Sequence, residues 1–132
     1  MKLAYISNSC GKRSQHQFML DNPHATHCGR CMPCMYRKAS LLDFNDKTTY
    51  GITMPTLFLL KNQDMSNDFY AMLNYLKRDL SDEDIMKELQ IAGLSKIPNF
   101  NEYIDLVKRT RAELKRLIIS EGTKDILEYT NL

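Results

Sequence analysis

Glycine is scarce in this chain: five residues in 132, widely scattered, with no cluster able to cradle a phosphate. Gly11-Lys12-Arg13-Ser14 has the ending of a Walker loop, but Ile6 stands where the required glycine belongs. A Ser-Gly-Gly pyrophosphatase loop, a nucleophile elbow and a paired-histidine zinc-protease motif are missing too. A complete nucleotide-dependent active site therefore cannot be assembled from this chain alone. Long apolar runs are also lacking. No stretch reaches the roughly 18 residues that a membrane span requires, and the patch in residues 1–9 is too short for the apolar region of a signal peptide. Excess charge of either sign is absent as well. Eighteen Lys and Arg against sixteen Asp and Glu leave a formal +2, too balanced to imply nucleic acid or membrane by charge alone.

What remains is globular composition, with 43% apolar and 26% charged residues. At 15.4 kDa it suffices for one compact domain with a real core. The expected compartment is the cytoplasm, where thiols stay reduced.

Under that expectation the cysteines carry the most information. Cys10, Cys28, Cys31 and Cys34 all lie in the first quarter of the chain, the last three in the run Cys28-Gly29-Arg30-Cys31-Met32-Pro33-Cys34. Spacing of two lets successive thiolates converge on one point. Gly29 lets the backbone fold over an ion without a Cβ clash, and Pro33 suits the first turn of a following helix. Cys10 would return across a polar loop as the fourth sulfur. Four thiolates on Zn2+ make a closed structural site, which contributes folding energy and generates no hydroxide. Such an ion would bring the formal charge from +2 to zero. The alternatives are an iron–sulfur cluster, whose fourth run cysteine is replaced here by Arg37-Lys38-Ala39, disulfides, and four unrelated thiols. His27 abuts Cys28 and is a candidate to replace one sulfur, to bond a thiolate or substrate, or to sit on the surface. His16 and His24 are expected to be exposed in the loop.

The rest reads as helix. Residues 1–9 form a short leader, an extended stub, and residues 10–33 a metal-organised loop. Met35, Ala39 and Leu42 predict a helix from Cys34 to about Asn45. Residues 46–63 are ambiguous, with Thr56–Leu60 too short to assign. Ser66 is placed to cap a helix with Phe69, Leu73, Leu76 and Leu80 on one face and Met72 beside it. Ser81 is placed to cap another, carrying Ile85 and Leu89 and stopping at Gly93, where Leu89 and Leu94 fall at Schellman positions. After Pro98 a long helix starts at Asn99 or Asn101, with Phe100, Tyr103, Ile104, Val107, Leu114, Leu117 and Ile118 on one face. Gly122 ends it, and Thr123 is placed to cap a short last helix with Ile126, Leu127 and Tyr129. The eight methionines suit gap-filling in the core. The expected fold is mainly α, with a zinc-stapled N-terminal loop before a small helical bundle. It divides into residues 1–45, loop and first helix, and 46–132, the bundle.

Two basic groups stand out. Lys108, Arg109, Arg111, Lys115 and Arg116 share a helix face, either a phosphate-tracking stripe or a solvated face partly neutralised by Glu113. Lys12, Arg13, Arg30, Arg37 and Lys38 cluster around the cysteines, where part of their charge must offset sulfur. Arg37 is the candidate anion contact.

The run from His27 to Ala39, with Ser9-Cys10 upstream, resembles the C-terminal zinc region of the queuosine-precursor synthase family. It is most similar to the QueC-like proteins of bacterial anti-phage Qat systems. The resemblance covers residues 8–42, about a quarter of the chain. Those proteins join an N-terminal ATP-pyrophosphatase domain on a parallel α/β sheet to a zinc-binding segment of this pattern. The resemblance implies that Cys10, Cys28, Cys31 and Cys34 are the zinc ligands and that Arg37 matches the family arginine after the last cysteine. It also implies that this chain is the C-terminal part of such a protein, with the nucleotide loop before residue 1 or on another chain. His27, Arg30 and Arg37 would then face the neighbouring nucleotide domain or its substrate. The family's ATP-dependent conversion of a carboxyl group to an amide or nitrile does not transfer to this chain in isolation. The second expectation is a free-standing zinc-stabilised module that binds nucleic acid or protein; the third is an iron–sulfur electron carrier.

Overall fold

A computed structural model describes residues 7–132; most of the expected N-terminal stub lies outside them. The chain is mainly helical. Among the described residues there are six α-helices: α1 Met32–Ser40, α2 Met54–Leu59, α3 Asn67–Lys77, α4 Asp82–Ile91, α5 Phe100–Glu121 and α6 Lys124–Thr130. They contain no strand, only one isolated parallel bridge between His27 and Tyr50.

Local signals fix α4 at both ends. Ser81 Oγ accepts from the Asp84 N–H at 3.2 Å, and Asp84 Oδ2 accepts from the Ser81 N–H at 3.0 Å, a reciprocal capping box. At the other end Gly93 takes φ +87°, the Leu94 N–H reaches the Leu89 carbonyl at 3.0 Å, and the Gly93 N–H reaches Gln90 at 3.0 Å. This is the expected Schellman closure. Ser81→Ala should cost about 1 kcal/mol, read as a lower urea midpoint at constant slope. An unchanged midpoint would contradict the role given to the box.

Other helix starts differ from the local reading. Ser66 sits at the α3 N-cap but does not cap it; its hydroxyl donates backward to Leu60 O (2.6 Å) and Gln63 O (3.0 Å). Within the ambiguous stretch 46–63, Met54–Leu59 forms helix α2, whose start is held from 32 residues away. Asp21 accepts from the Thr53 N–H at 2.8 Å and from Thr56 Oγ1 at 3.0 Å. Burial alone would raise the Asp21 carboxyl, but these hydrogen bonds outweigh it and hold the group below its usual range. The start of α1 receives a similar contact, Asp68 Oδ2 accepting from the Met32 N–H at 3.3 Å. Helix α1 ends at Ser40, short of Asn45, and Leu42 packs against the core from the following turn.

The core brings one face of each of five helices together. Phe69, Met72, Leu73 and Leu76 of α3 meet Leu114, Leu117 and Ile118 of α5, Ile126 of α6, Leu57 of α2, and Met35 and Ala39 of α1. Ile52 closes it from the connecting segment. Met19, Met35, Met54 and Met72 are fully buried gap-fillers. Helix α5 is long enough to span a bilayer but amphipathic, and no helix among the described residues is long and apolar enough to cross a membrane.

Candidate metal centre

A second, smaller core holds the cysteines. Cys28, Cys31 and Cys34 pack with Met19 and Ala25, with half-buried Cys10 and Tyr50 against them. Gly29 takes φ +80°, and a Cβ there would lie 2.5 Å from the Ile52 carbonyl oxygen, so the turn admits only glycine. The bridge segment clamps the loop: the His27 N–H donates to Thr49 O (3.1 Å), the Gly51 N–H to His27 O (2.7 Å), and the Asp21 and Asn22 N–H groups both to Gly51 O (3.0 Å).

The four sulfurs lie within 4.8 Å of one another. Cys28 and Cys34 Sγ are 3.8 Å apart. A tetrahedron of 2.3 Å metal–sulfur bonds has edges of about 3.8 Å, so the donors fit a single ion. All four cysteines are free, and their convergence on one point sets them apart from unrelated thiols. Backbone N–H groups point at the sulfurs. Lys12 (3.4 Å) and Cys28 (3.3 Å) donate to Cys10 Sγ, and Arg30 (3.4 Å) donates to Cys28 Sγ. Such bonds favour the charged thiolate over the thiol.

The three buried sulfurs lie close enough to hydrogen-bond one another. Hydrogen bonds from the Cys28 and Cys34 thiols hold Cys31 as thiolate, well below the usual range, with the Cys34 and Gly11 N–H groups assisting. Cys28 is pushed up to about 11, first by its bond to Cys31. Cys34 is pushed far up by its bonds to both, then by burial. A metal ion bound here would take the place of thiol protons, so its binding would release them and weaken as pH falls.

Lys38 of α1 is buried beside this centre, its Nζ 4.6 Å above the Tyr50 ring and 4.0 Å from Glu121. Burial pushes its ammonium down, while Glu121 and the Cys34 and Cys28 sulfurs favour its charge. One member of the basic cluster thus does face the sulfurs.

The three substrate candidates separate. His27 is buried, with Nδ1 at 2.9 Å from Thr26 Oγ1 and its ring edge-on to Tyr50; its Nε2 has no hydrogen-bond partner. Burial, then the Arg37 and Arg13 charges, lowers its pKa. Arg37 donates from Nε to Thr48 Oγ1 (3.1 Å) and from Nη1 to Ser7 Oγ (2.9 Å). Arg30 is buried and lines a cavity with Lys12 and Gln15, whereas Arg37 lines another with Ser7, Ser9 and Tyr36; His27 lines neither. His16 and His24 are exposed and, like His27, outside the sulfur set.

The basic face of α5 is not one stripe. Arg111 is buried, stacked 4.4 Å over the Tyr75 ring, and donates to Tyr75 O (3.0 Å) and Arg78 O (2.5 Å). It satisfies carbonyls at the end of α3. Lys108 pairs with Asp82 (3.1 Å) and Arg116 with Asp43 (2.6 Å). Arg109 and Lys115 remain without an ion pair among the described residues.

Local sequence gave no sign of Asp21, Asp68 or Tyr50, because each acts on a segment distant in the chain. Fold and site together define a helical protein with a four-cysteine centre able to hold a metal ion near its N-terminus. No protein-family model, curated protein or solved structure matches the chain.

Proposed function

We propose that the chain is a structural zinc-binding module, the C-terminal part of a QueC-like ATP-pyrophosphatase protein, which supports a nucleotide or substrate site supplied by another domain or chain. The observation that carries the metal reading is the convergence of four sulfurs within 4.8 Å, three of them buried. Zinc suits four thiolates at this spacing; a four-iron cluster would interpose iron and sulfide and spread the cysteines further. When bound, the ion supplies folding energy to the loop and no reactive water, since sulfur fills all four positions. The module therefore acts by shape. The QueC-like assignment rests on the motif over residues 8–42.

The test is reconstitution. The zinc-loaded chain, added to a QueC-like nucleotide-binding domain from the same genome, should co-elute with it and raise its release of pyrophosphate from ATP. Separate elution together with unchanged pyrophosphate release would overturn the partner reading. On the α5 face, a nucleic-acid partner would meet Arg109 and Lys115, since Arg111, Lys108 and Arg116 are engaged within the fold.

A further inference from the structure

Arg30 is 95% buried, since 5% of its surface is exposed, and no carboxylate pairs with it among the described residues. Its guanidinium donates from one terminal nitrogen to Gln15 Oε1, lies 5.0 Å from the Phe18 ring centre, and leaves Nε without any partner. A buried cation is normally paired, because desolvation of an unpaired charge costs several kcal/mol. A guanidinium offers five donors in a planar fork matched to carboxylate and phosphate. Here one donor is used. Lys38, by contrast, has its own acid in Glu121.

Arg30 stands in the wall of a cavity of about 370 Å³ at the seam between the metal loop and the turn before α3. Lys12, Gln15 and Phe18 come from the loop; Gln63, Asp64 and Met65 come from the turn. Two cations face one acid, and Asp64 forms an ion pair with neither. The volume falls in the range of small-ligand sites. Phe18 and Met65 supply apolar surface, and the Gln63 amide offers a neutral donor.

From this geometry we infer that the cavity binds the oxyanion of a small ligand, a carboxylate or phosphoryl group, with Arg30 as its main contact and Lys12 at its rim. Gln15 and Phe18 hold the guanidinium plane; Nε is enclosed, so the anion would meet the terminal nitrogens. The inference rests on the zinc reading only in that the metal loop positions Arg30; it needs no partner domain.

The experiment titrates sodium phosphate and, separately, sodium acetate into the zinc-loaded full chain at constant ionic strength, followed by amide NMR shifts. Zinc content is measured on the same samples. Saturable shifts confined to residues around Lys12, Gln15, Arg30 and Gln63 are expected. A response to phosphate alone assigns a phosphoryl group; a response to acetate alone assigns a carboxylate. Lys12→Ala should weaken binding about fivefold, the effect of one nearby solvated cation. Arg30→Gln should abolish it with one zinc retained. Where Arg30→Gln loses zinc, Lys12→Ala and Gln63→Ala, both outside the buried core, decide. Non-saturating shifts, shifts centred on Arg109 and Lys115, or equal affinity in Lys12→Ala would overturn the inference. Full zinc with no response to either anion overturns this site alone, whereas absence of zinc in the wild-type protein speaks against the metal module.

Discussion

Cys31→Ser is expected to lose the metal and the order of residues 10–34 while keeping most of the helix content. Cys31 sits between the other ligands: the Cys28 and Cys34 thiols and the Gly11 and Cys34 N–H groups all point to its sulfur. Serine oxygen is a harder and less readily ionised donor, so the site would fall to three sulfurs. Apparent binding energies of structural zinc sites are on the order of 10–16 kcal/mol, and in the loop that energy replaces a core. The loop has little else, with Met19 and Ala25 the only buried apolar side chains beside the cysteines. Helices α3, α5 and α6 have their own contacts through Phe69, Leu73, Leu114, Leu117, Ile118 and Ile126. Hydrogen exchange should therefore show lost protection across the loop and retained protection in those helices. Retained metal with unchanged protection would refute the four-sulfur centre.

Arg111→Ala is expected to lower stability by about 2–3 kcal/mol, the loss of two charge-assisted hydrogen bonds from a buried group. The Tyr75 and Arg78 carbonyls that end α3 would lose their donors, and the Tyr75 ring its stacked partner. Lys115→Ala on the same helix should change stability by no more than about 0.5 kcal/mol. Urea unfolding of the two variants measures the contrast. Equal midpoints would return Arg111 to the surface and restore a continuous basic stripe. For the same reason a test of nucleic-acid binding should alter Arg109 and Lys115, since reversing Arg111 would damage the fold.

How much of this was legible in the sequence depends on the reach of each interaction. The capping box at Ser81 and the closure at Gly93 span three to six residues, so sequence order alone displays both ends of α4. The apolar faces of α3 and α5 show in their spacing for the same reason. The cysteine spacing of two likewise encodes its own geometry. Helix α2 was hidden because its N-terminal partner, Asp21, is 32 residues away. Ser66 misled because a hydroxyl can donate as well as accept, and the Leu60 carbonyl lies within its reach. Arg111 lies within a basic run, and only the position of the α3 carbonyls distinguishes it from its neighbours. Arg30, Arg37 and His27 are close in sequence, yet the turn at Gly29 and the start of α1 send the two arginines to different cavities.

The central claim is that one ion held by sulfur organises the front of this chain. Metal-edge X-ray absorption of the purified protein tests it most directly. The expected result is one zinc per chain with four sulfur neighbours at about 2.3 Å. Iron with short metal–metal distances, zinc with nitrogen or oxygen neighbours, or a metal-free protein whose loop stays protected from exchange would contradict it.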